Sequence, residues 1–284
     1  MARSTGGRSR SIALKRYRSK DFSVLNHLTE RDSNICLDIY EHRFLTTHQI
    51  FQLHFSSYSR ARVRSRQLCE LGVLSRFRPP QNPGSAPWHY VLDRLGADIV
   101  SGNRNIDADK LYFERNRPAK LCLSPRLQHM REVNEFFCRL VYAGRQQNDI
   151  KLTRWFGENH SIGHSKAVVR PDGIGTLQAG SISREFFLEM DRGTESADLL
   201  REKVVDYEEA VISRYMPRIV LFCFPTQRRE QFAVSKLQTG KLTIATCILD
   251  KHLEDPLGPI WLPIRHERRV RLIEIPLPEV NGGA

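Results

Sequence analysis

Between residues 168 and 207 the chain gathers three acids and a lysine in a pattern suited to divalent-metal and phosphate chemistry. Asp172 follows the β-branched run in VVRPDGIGTL. Glu189 and Asp191 close a second apolar run, EFFLEMD, and Lys203 follows in a segment with helical spacing. Hard oxygen ligands on rigid strands can hold a divalent cation, and metal-assisted phosphodiester cleavage requires them. It also requires a fixed cation to stabilise charge on the phosphate. Asp172 and Glu189 are 17 residues apart, a spacing that allows neighbouring positions on a hairpin. Asp191 leaves the same face as Glu189 if the strand persists. Lys203 lies about two turns into the next helix and can reach back. Glu132, Glu135 or Glu158 could complete the shell. The ordinary reading is that acids often close strands and that Asp-Gly is a turn.

The elements around these residues follow from periodicity. Leu127, Met130, Val133, Phe137, Leu140 and Val141 recur at helical steps and predict a helix over 126–147. IKLTRWFGE, SKAVVRPDGIGTL and REFFLEMD predict three strands, with turn signals at 157–159 and 178–181. A helix over 196–213 should turn Leu199, Leu200, Val204, Tyr207 and Val211 inward. PRIVLFCFP reads as a strand buried on both faces. A helix in QRREQFAVSKL and a strand in KLTIATCIL follow. The order α-β-β-β-α-β-α-β predicts a mixed sheet flanked by helices.

The N-terminal part is different. A helix from about residue 32, with Asp32 or Ser33 as N-cap, precedes a short helix capped by Thr46-Thr47. A third helix, RARVRSRQLCELGVL, ends at Gly72. A strand, a Pro/Gly/Asn loop and a second strand with Trp88 and Tyr90 complete it. Three helices and a β-hairpin are the layout of a winged helix-turn-helix. The third helix carries Arg60, Arg62, Arg64 and Arg66, and the first hairpin strand adds Arg76 and Arg78. Arg60/Arg64 and Arg62/Arg66 are i, i+4 pairs pointing roughly 160° apart, so one pair at most enters a DNA groove squarely. Such side chains contact phosphates and can read guanine edges. The alternative is a protein-contact module with a solvated basic face.

Charge supports a nucleic-acid partner. The net charge is +12, of which residues 1–20 contribute +7, residues 21–120 +3 and residues 121–284 +2. Clustering of this kind favours an anionic polymer, nucleic acid first, over a merely solubilising surface; with the arginine helix, the expected partner is double-stranded DNA. Residues 1–20 predict a disordered basic arm. The remaining boundaries are 21–120 for the winged-helix domain, 121–255 for the mixed-sheet domain and 256–284 for a Pro-rich tail that wraps the surface. The six cysteines form no CxxC pair and read as reduced thiols of a cytoplasmic protein. No apolar run approaches the roughly 20 residues of a membrane span, so no membrane partner is expected.

PDG at 171–173 with EMD at 189–191 resembles the PD-(D/E)XK nuclease superfamily motif. More specifically, VRPDG, FFLEMDRGTES and the L-x-x-K-x-x-x-Y arrangement of Leu199 or Leu200, Lys203 and Tyr207 resemble the replication-relaxation family, over roughly residues 30–250. That family occurs on plasmids and other mobile elements and pairs a winged helix with a nuclease-like domain. The resemblance implies an α/β (α+β overall) chain: a winged helix-turn-helix, then a PD-(D/E)XK-like sheet. It implies Asp172 and Glu189 as metal ligands and Mg²⁺ as the cofactor, with Asp191 expected as a third ligand. The superfamily lysine two residues after the second acid is replaced by Asp191. Either Lys203 supplies the cation, giving a Mg²⁺-dependent DNA endonuclease, or the fold serves a non-catalytic DNA-binding accessory factor or transcription regulator. Plasmid replication or transfer proteins and a second copy of the chain are the further partners expected.

Overall fold

The computed structural model describes residues 27–278, apart from 82, 105–116, 148, 158–168, 214–215, 239 and 250–253. The expected basic arm and Glu158 lie outside the described residues.

The N-terminal elements are α1 (Glu30–His42), β1 (Leu45–Thr46), α2 (Thr47–His54), α3 (Tyr58–Glu70), β2 (Leu74–Phe77) and β3 (His89–Leu92). β3 lies between β1 and β2, antiparallel to both. Thr46 caps α2 in a reciprocal box with Gln49, as its position predicts. The start of α1 differs from expectation. Thr29 is the N-cap, and Asp32 is the third helical residue that bonds back to it. Asp32 is fully buried, so it needs a cation, and Arg64 of α3 supplies one. Ile35, Ile39, Ile50, Leu68, Val73 and Tyr90 form the core of this unit. α4 (Arg94–Arg104) and α5 (Arg117–Cys122) follow.

α6 (Leu127–Gln146) belongs to both halves of the molecule. Its Cys138 completes the N-terminal core, whereas Phe136, Phe137 and Leu140 pack on the large sheet. Polar contacts reinforce the junction. Asn134 Nδ2 donates to the carbonyls of His42 (3.2 Å) and Phe44 (2.9 Å). Arg145 donates to the carbonyl of Gln52 at 2.8 Å, and Gln49 reaches Glu135 and the Arg131 carbonyl. Trp155 stacks between His42 (centroids 3.4 Å apart) and Phe137 (4.9 Å).

The second sheet has the order β4-β5-β6-β7-β8-β9. Its strands are β4 (Ile150–Gly157), β5 (Gly173–Ala179), β6 (Ile182–Met190), β7 (Ile219–Phe224), β8 (Thr243–Ile248) and β9 (Leu262–Pro263). β4, β5 and β6 are antiparallel neighbours; β6, β7 and β8 run parallel, and β9 is antiparallel to β8. The chain is therefore a mixed α+β protein. α7 (Ala197–Ser213) and α8 (Gln227–Val234) are the helices between the parallel strands.

β7 is buried along its whole length, as its unbroken apolar run requires. β6 alternates. Phe186, Leu188 and Met190 join the α6 side of the core, and Phe187 joins the α7 and α8 side. Each fully buried side chain of this kind contributes about 1.5–3 kcal/mol. Gly173 and Gly175 let the aromatic rings of α6 and β6 cross β5. A Cβ would lie 2.6 Å from Phe137 at the first and 2.3 Å from Phe186 at the second.

Two expectations fail in this half. Leu199 of α7 is exposed (42%), and the segment from Asp255 is core rather than a surface wrap. Trp261, Leu272 and Ile275 are fully buried against the sheet. Arg269 anchors the segment to buried Glu230, Nη2 to Oε2 2.6 Å.

Candidate functional site

The acids meet where β5 begins and β6 ends. The register that pairs Gly173 with Leu188 brings Asp172 and Glu189 to the same end of the hairpin. Asp172 ties the strand ends together: its N–H donates to the Leu188 carbonyl at 3.0 Å, and its Oδ2 accepts from the Met190 N–H at 2.8 Å. Its other oxygen, Oδ1, lies 2.7 Å from Nε2 of His129 on α6. Burial alone would push the His129 pKa down, but the hydrogen bond and charge of Asp172 outweigh it and hold the imidazole above its ordinary value.

Glu189 follows Phe187 by one alternation and faces α7. Lys203 Nζ donates to its Oε2 at 2.9 Å, and the Tyr207 hydroxyl donates to Oε1. Neighbouring like charges destabilise each other. Burial first, then the charge of Asp172, push the Glu189 carboxyl up to about 7, although Lys203 and Tyr207 pull it down. Lys203 also donates to Glu195 Oε1 at 2.6 Å. Burial opposes its charge, but the two carboxylates more than compensate, and its pKa lies above the ordinary value.

Asp191 has another partner. It follows β6 on the same face as Glu189 and is buried. Arg229 of α8 donates Nε to Oδ1 at 3.2 Å and Nη2 to Oδ2 at 2.5 Å. The same Nη2 reaches the Glu195 carbonyl at 2.7 Å, and the Gly193 N–H also donates to Asp191. Among the described residues, no three His, Cys, Asp or Glu side chains are grouped to hold a metal ion. Magnesium, however, is commonly held by one or two carboxylates with water and substrate phosphate making up the shell. Each ionised carboxylate oxygen can accept more than one contact. Asp172 and Glu189 fit such a two-acid set, with Lys203 alongside. Asp191, gripped by a guanidinium fork, does not.

Glu132 and Glu135 do not join the acids. Glu132 accepts from Gln128, and Glu135 accepts from Gln49, Gln52 and Arg139 at the junction with α2. Spacing alone singles out neither His129 nor Arg229 as partners of the acids. Glu195 lies inside the EMDRGTES signature, and Tyr207 inside the L-x-x-K-x-x-x-Y arrangement.

The six arginines divide. Arg60, Arg62 and Arg66 are exposed on α3, with Val63 among them (44% exposed). Arg64 is a correction: it turns inward and fixes Asp32, with Nη2 at 2.6 Å and Nε at 2.9 Å, and also reaches the His27 carbonyl. Its loss from the exposed face follows from the burial of Asp32. Arg76 and Arg78 both cover the Trp88 ring, their guanidinium carbons 4.3 and 4.2 Å from its centroid. Two cations on one aromatic make a basic, planar surface on the hairpin.

All six cysteines are free thiols. Among the described residues, no helix is long and apolar enough to cross a membrane.

The replication-relaxation family model matches residues 37–218, well over half of the chain. That span runs from α1 through Asp172, Glu189 and Asp191 to beyond the end of α7. No curated protein matches the chain. The chain belongs to the replication-relaxation family.

Proposed function

We propose that this replication-relaxation protein binds double-stranded DNA of a plasmid or other mobile element and acts on it during replication or relaxation. In this reading the N-terminal unit is a winged helix and the second is a nuclease-like domain. Family membership supports the replication-related role. The order α1-β1-α2-α3-β2-β3, with Arg60, Arg62 and Arg66 exposed on α3 and Arg76 and Arg78 on the hairpin, supports the DNA partner. The observation that carries the nuclease-type reading is Lys203. It reaches from α7 to Glu189, so a cation accompanies that acid although Asp191 occupies the signature's lysine position.

Asp172 and Glu189 would hold Mg²⁺, which supplies Lewis-acid polarisation of a phosphoryl oxygen and a lowered water pKa. Lys203 would neutralise Glu189 and place its positive charge beside the substrate phosphate. His129 fixes the orientation of Asp172, and Tyr207 that of Glu189. Arg229 removes the negative charge that Asp191 would otherwise present to a phosphate.

Nicking of supercoiled plasmid by the purified chain with Mg²⁺ or Mn²⁺ tests the reading. Activity should vanish in Asp172→Ala and Glu189→Ala; activity that survives both rejects it. The second reading is a non-catalytic DNA-binding accessory factor that uses the nuclease-like fold as a scaffold. The pairing of Glu189 and Asp191 with protein cations favours it. It predicts metal-independent DNA binding and no nicking.

A further inference from the structure

Arg43 stands at the junction between the N-terminal unit and the acid site in an unusual backbone conformation. It follows the last residue of α1 with φ 69° and ψ −38°. Arg43 and Arg265 are the non-glycine residues with positive φ among those described. Such a conformation is unfavourable for a residue with a Cβ and persists only when its surroundings enforce it. Here Asn134 enforces it. Its buried amide donates to the carbonyls on both sides of Arg43, those of His42 and Phe44. The flanking side chains are buried while Arg43 is exposed.

This turn lies beside Asp172. Arg43 lines a small cavity of about 40 Å³ together with His129, Met130, Gly157 and Asp172. Its Nη1 lies 3.7 Å from the Met130 sulfur, one residue from His129. A thioether is a weak acceptor, and Arg43 makes no ion pair with the described residues. Two cations at the acids are differently placed: Lys203 is held between two carboxylates, and Arg229 is bound to Asp191. The cavity holds about one or two waters, so an anion would sit at its mouth. There a guanidinium can form two parallel bonds to phosphate oxygens.

We propose that Arg43 is a phosphate-binding residue of the Asp172 site, supplied by the N-terminal unit and held in place by Asn134. It would grip a non-bridging oxygen of the DNA backbone next to Asp172, adding a second cation to the one Lys203 would supply beside Glu189. This rests on the nuclease-type reading of the site.

The test compares full-length wild type with Arg43→Lys, Arg43→Ala, Arg43→Gly and Asp172→Ala. Glycine accepts positive φ, so Arg43→Gly should melt no lower than wild type, and its defects are then not unfolding. In Mg²⁺-dependent nicking, Arg43→Ala and Arg43→Gly should lose about a hundredfold in rate, with Arg43→Lys closer to wild type. In duplex binding, the slope of log K against log salt should shrink by about 0.9 in Arg43→Gly, one phosphate contact. Nicking that Asp172→Ala abolishes but Arg43→Gly leaves intact overturns the role of Arg43 and spares the nuclease reading. If wild type does not nick at all, that reading falls and the binding arm decides. An unchanged salt slope then overturns the proposal, and a reduced slope supports Arg43 as a phosphate contact.

Discussion

Arg229 grips both carboxylate oxygens of Asp191, at 3.2 and 2.5 Å, from a helix that begins 36 residues after the acid. The pair, with Asp191 buried and Arg229 half-buried, joins α8 to the end of β6, so its role is to fix that strand end beside Glu189. A double-mutant cycle of Asp191→Ala and Arg229→Ala should give a coupling energy of about 1–3 kcal/mol by denaturant unfolding. Additive effects of the two substitutions would remove the pair from this role.

The same pairing separates the three acids by function. Titration of Mn²⁺ or Mg²⁺ into the purified chain should show affinity reduced about tenfold or more by Asp172→Ala and by Glu189→Ala. Asp191→Asn, which keeps the shape of the side chain, should bind metal nearly as wild type does. Equal losses in all three would return Asp191 to the ligand set.

Arg62, Arg64 and Arg66 lie within five residues of one helix yet should behave differently. Arg64→Ala leaves Asp32 buried and unpaired, and loss of one partner of a buried pair costs about 3–5 kcal/mol. Arg62→Ala and Arg66→Ala should change stability by less than about 0.5 kcal/mol. Each should instead lower the salt slope of duplex binding by about 0.9. Thermal melts and binding isotherms on the three variants check both halves of this statement.

Two buried groups tilt stability against pH in opposite senses. His89 is fully buried against Phe77 and Phe44, its Nδ1 is 2.9 Å from the Pro87 carbonyl, and burial pushes its pKa down to about 4. The unfolded chain takes up this proton near 6.5 and the folded one near 4, so stability is lost as pH falls across that window. His89→Phe should flatten that loss. Glu189 works in reverse. Its folded pKa of about 7 exceeds the ordinary 4.5, so the folded state holds the extra proton and stability declines as pH rises from 4.5 to 7. Glu189→Gln should remove that decline. Chemical unfolding at several pH values, with each variant subtracted from wild type, isolates the two contributions.

What the sequence disclosed follows from how far each signal reaches along the chain. The periodicity of α6, the apolar run of β7 and the Thr46 cap are local, and each appears where its pattern predicts. The hairpin that carries Asp172 and Glu189 to one end of the sheet is also legible, because a two-residue turn at Gly180 and Ser181 fixes its register. Asp32 misled because aspartate suits both the N-cap and the third helical position. Only its burial against Arg64 separates the two. The segment after Asp255 misled because its prolines suggest a surface wrap, whereas Trp261, Leu272 and Ile275 fill a sheet face that exists only once β5 to β8 have assembled. Arg43, Asn134 and Arg229 act across large sequence separations, and no local pattern announces them.

α6 places Cys138 in one hydrophobic core and Phe136 in the other. With that shared helix, and with Asn134 and Arg145 bonded to the backbone of the N-terminal unit, the two halves cannot swing as beads on a tether. They form a ruler. Duplex held by α3 would reach Asp172 and Glu189 at a constant offset, so any scission would fall a set number of base pairs from the bound sequence.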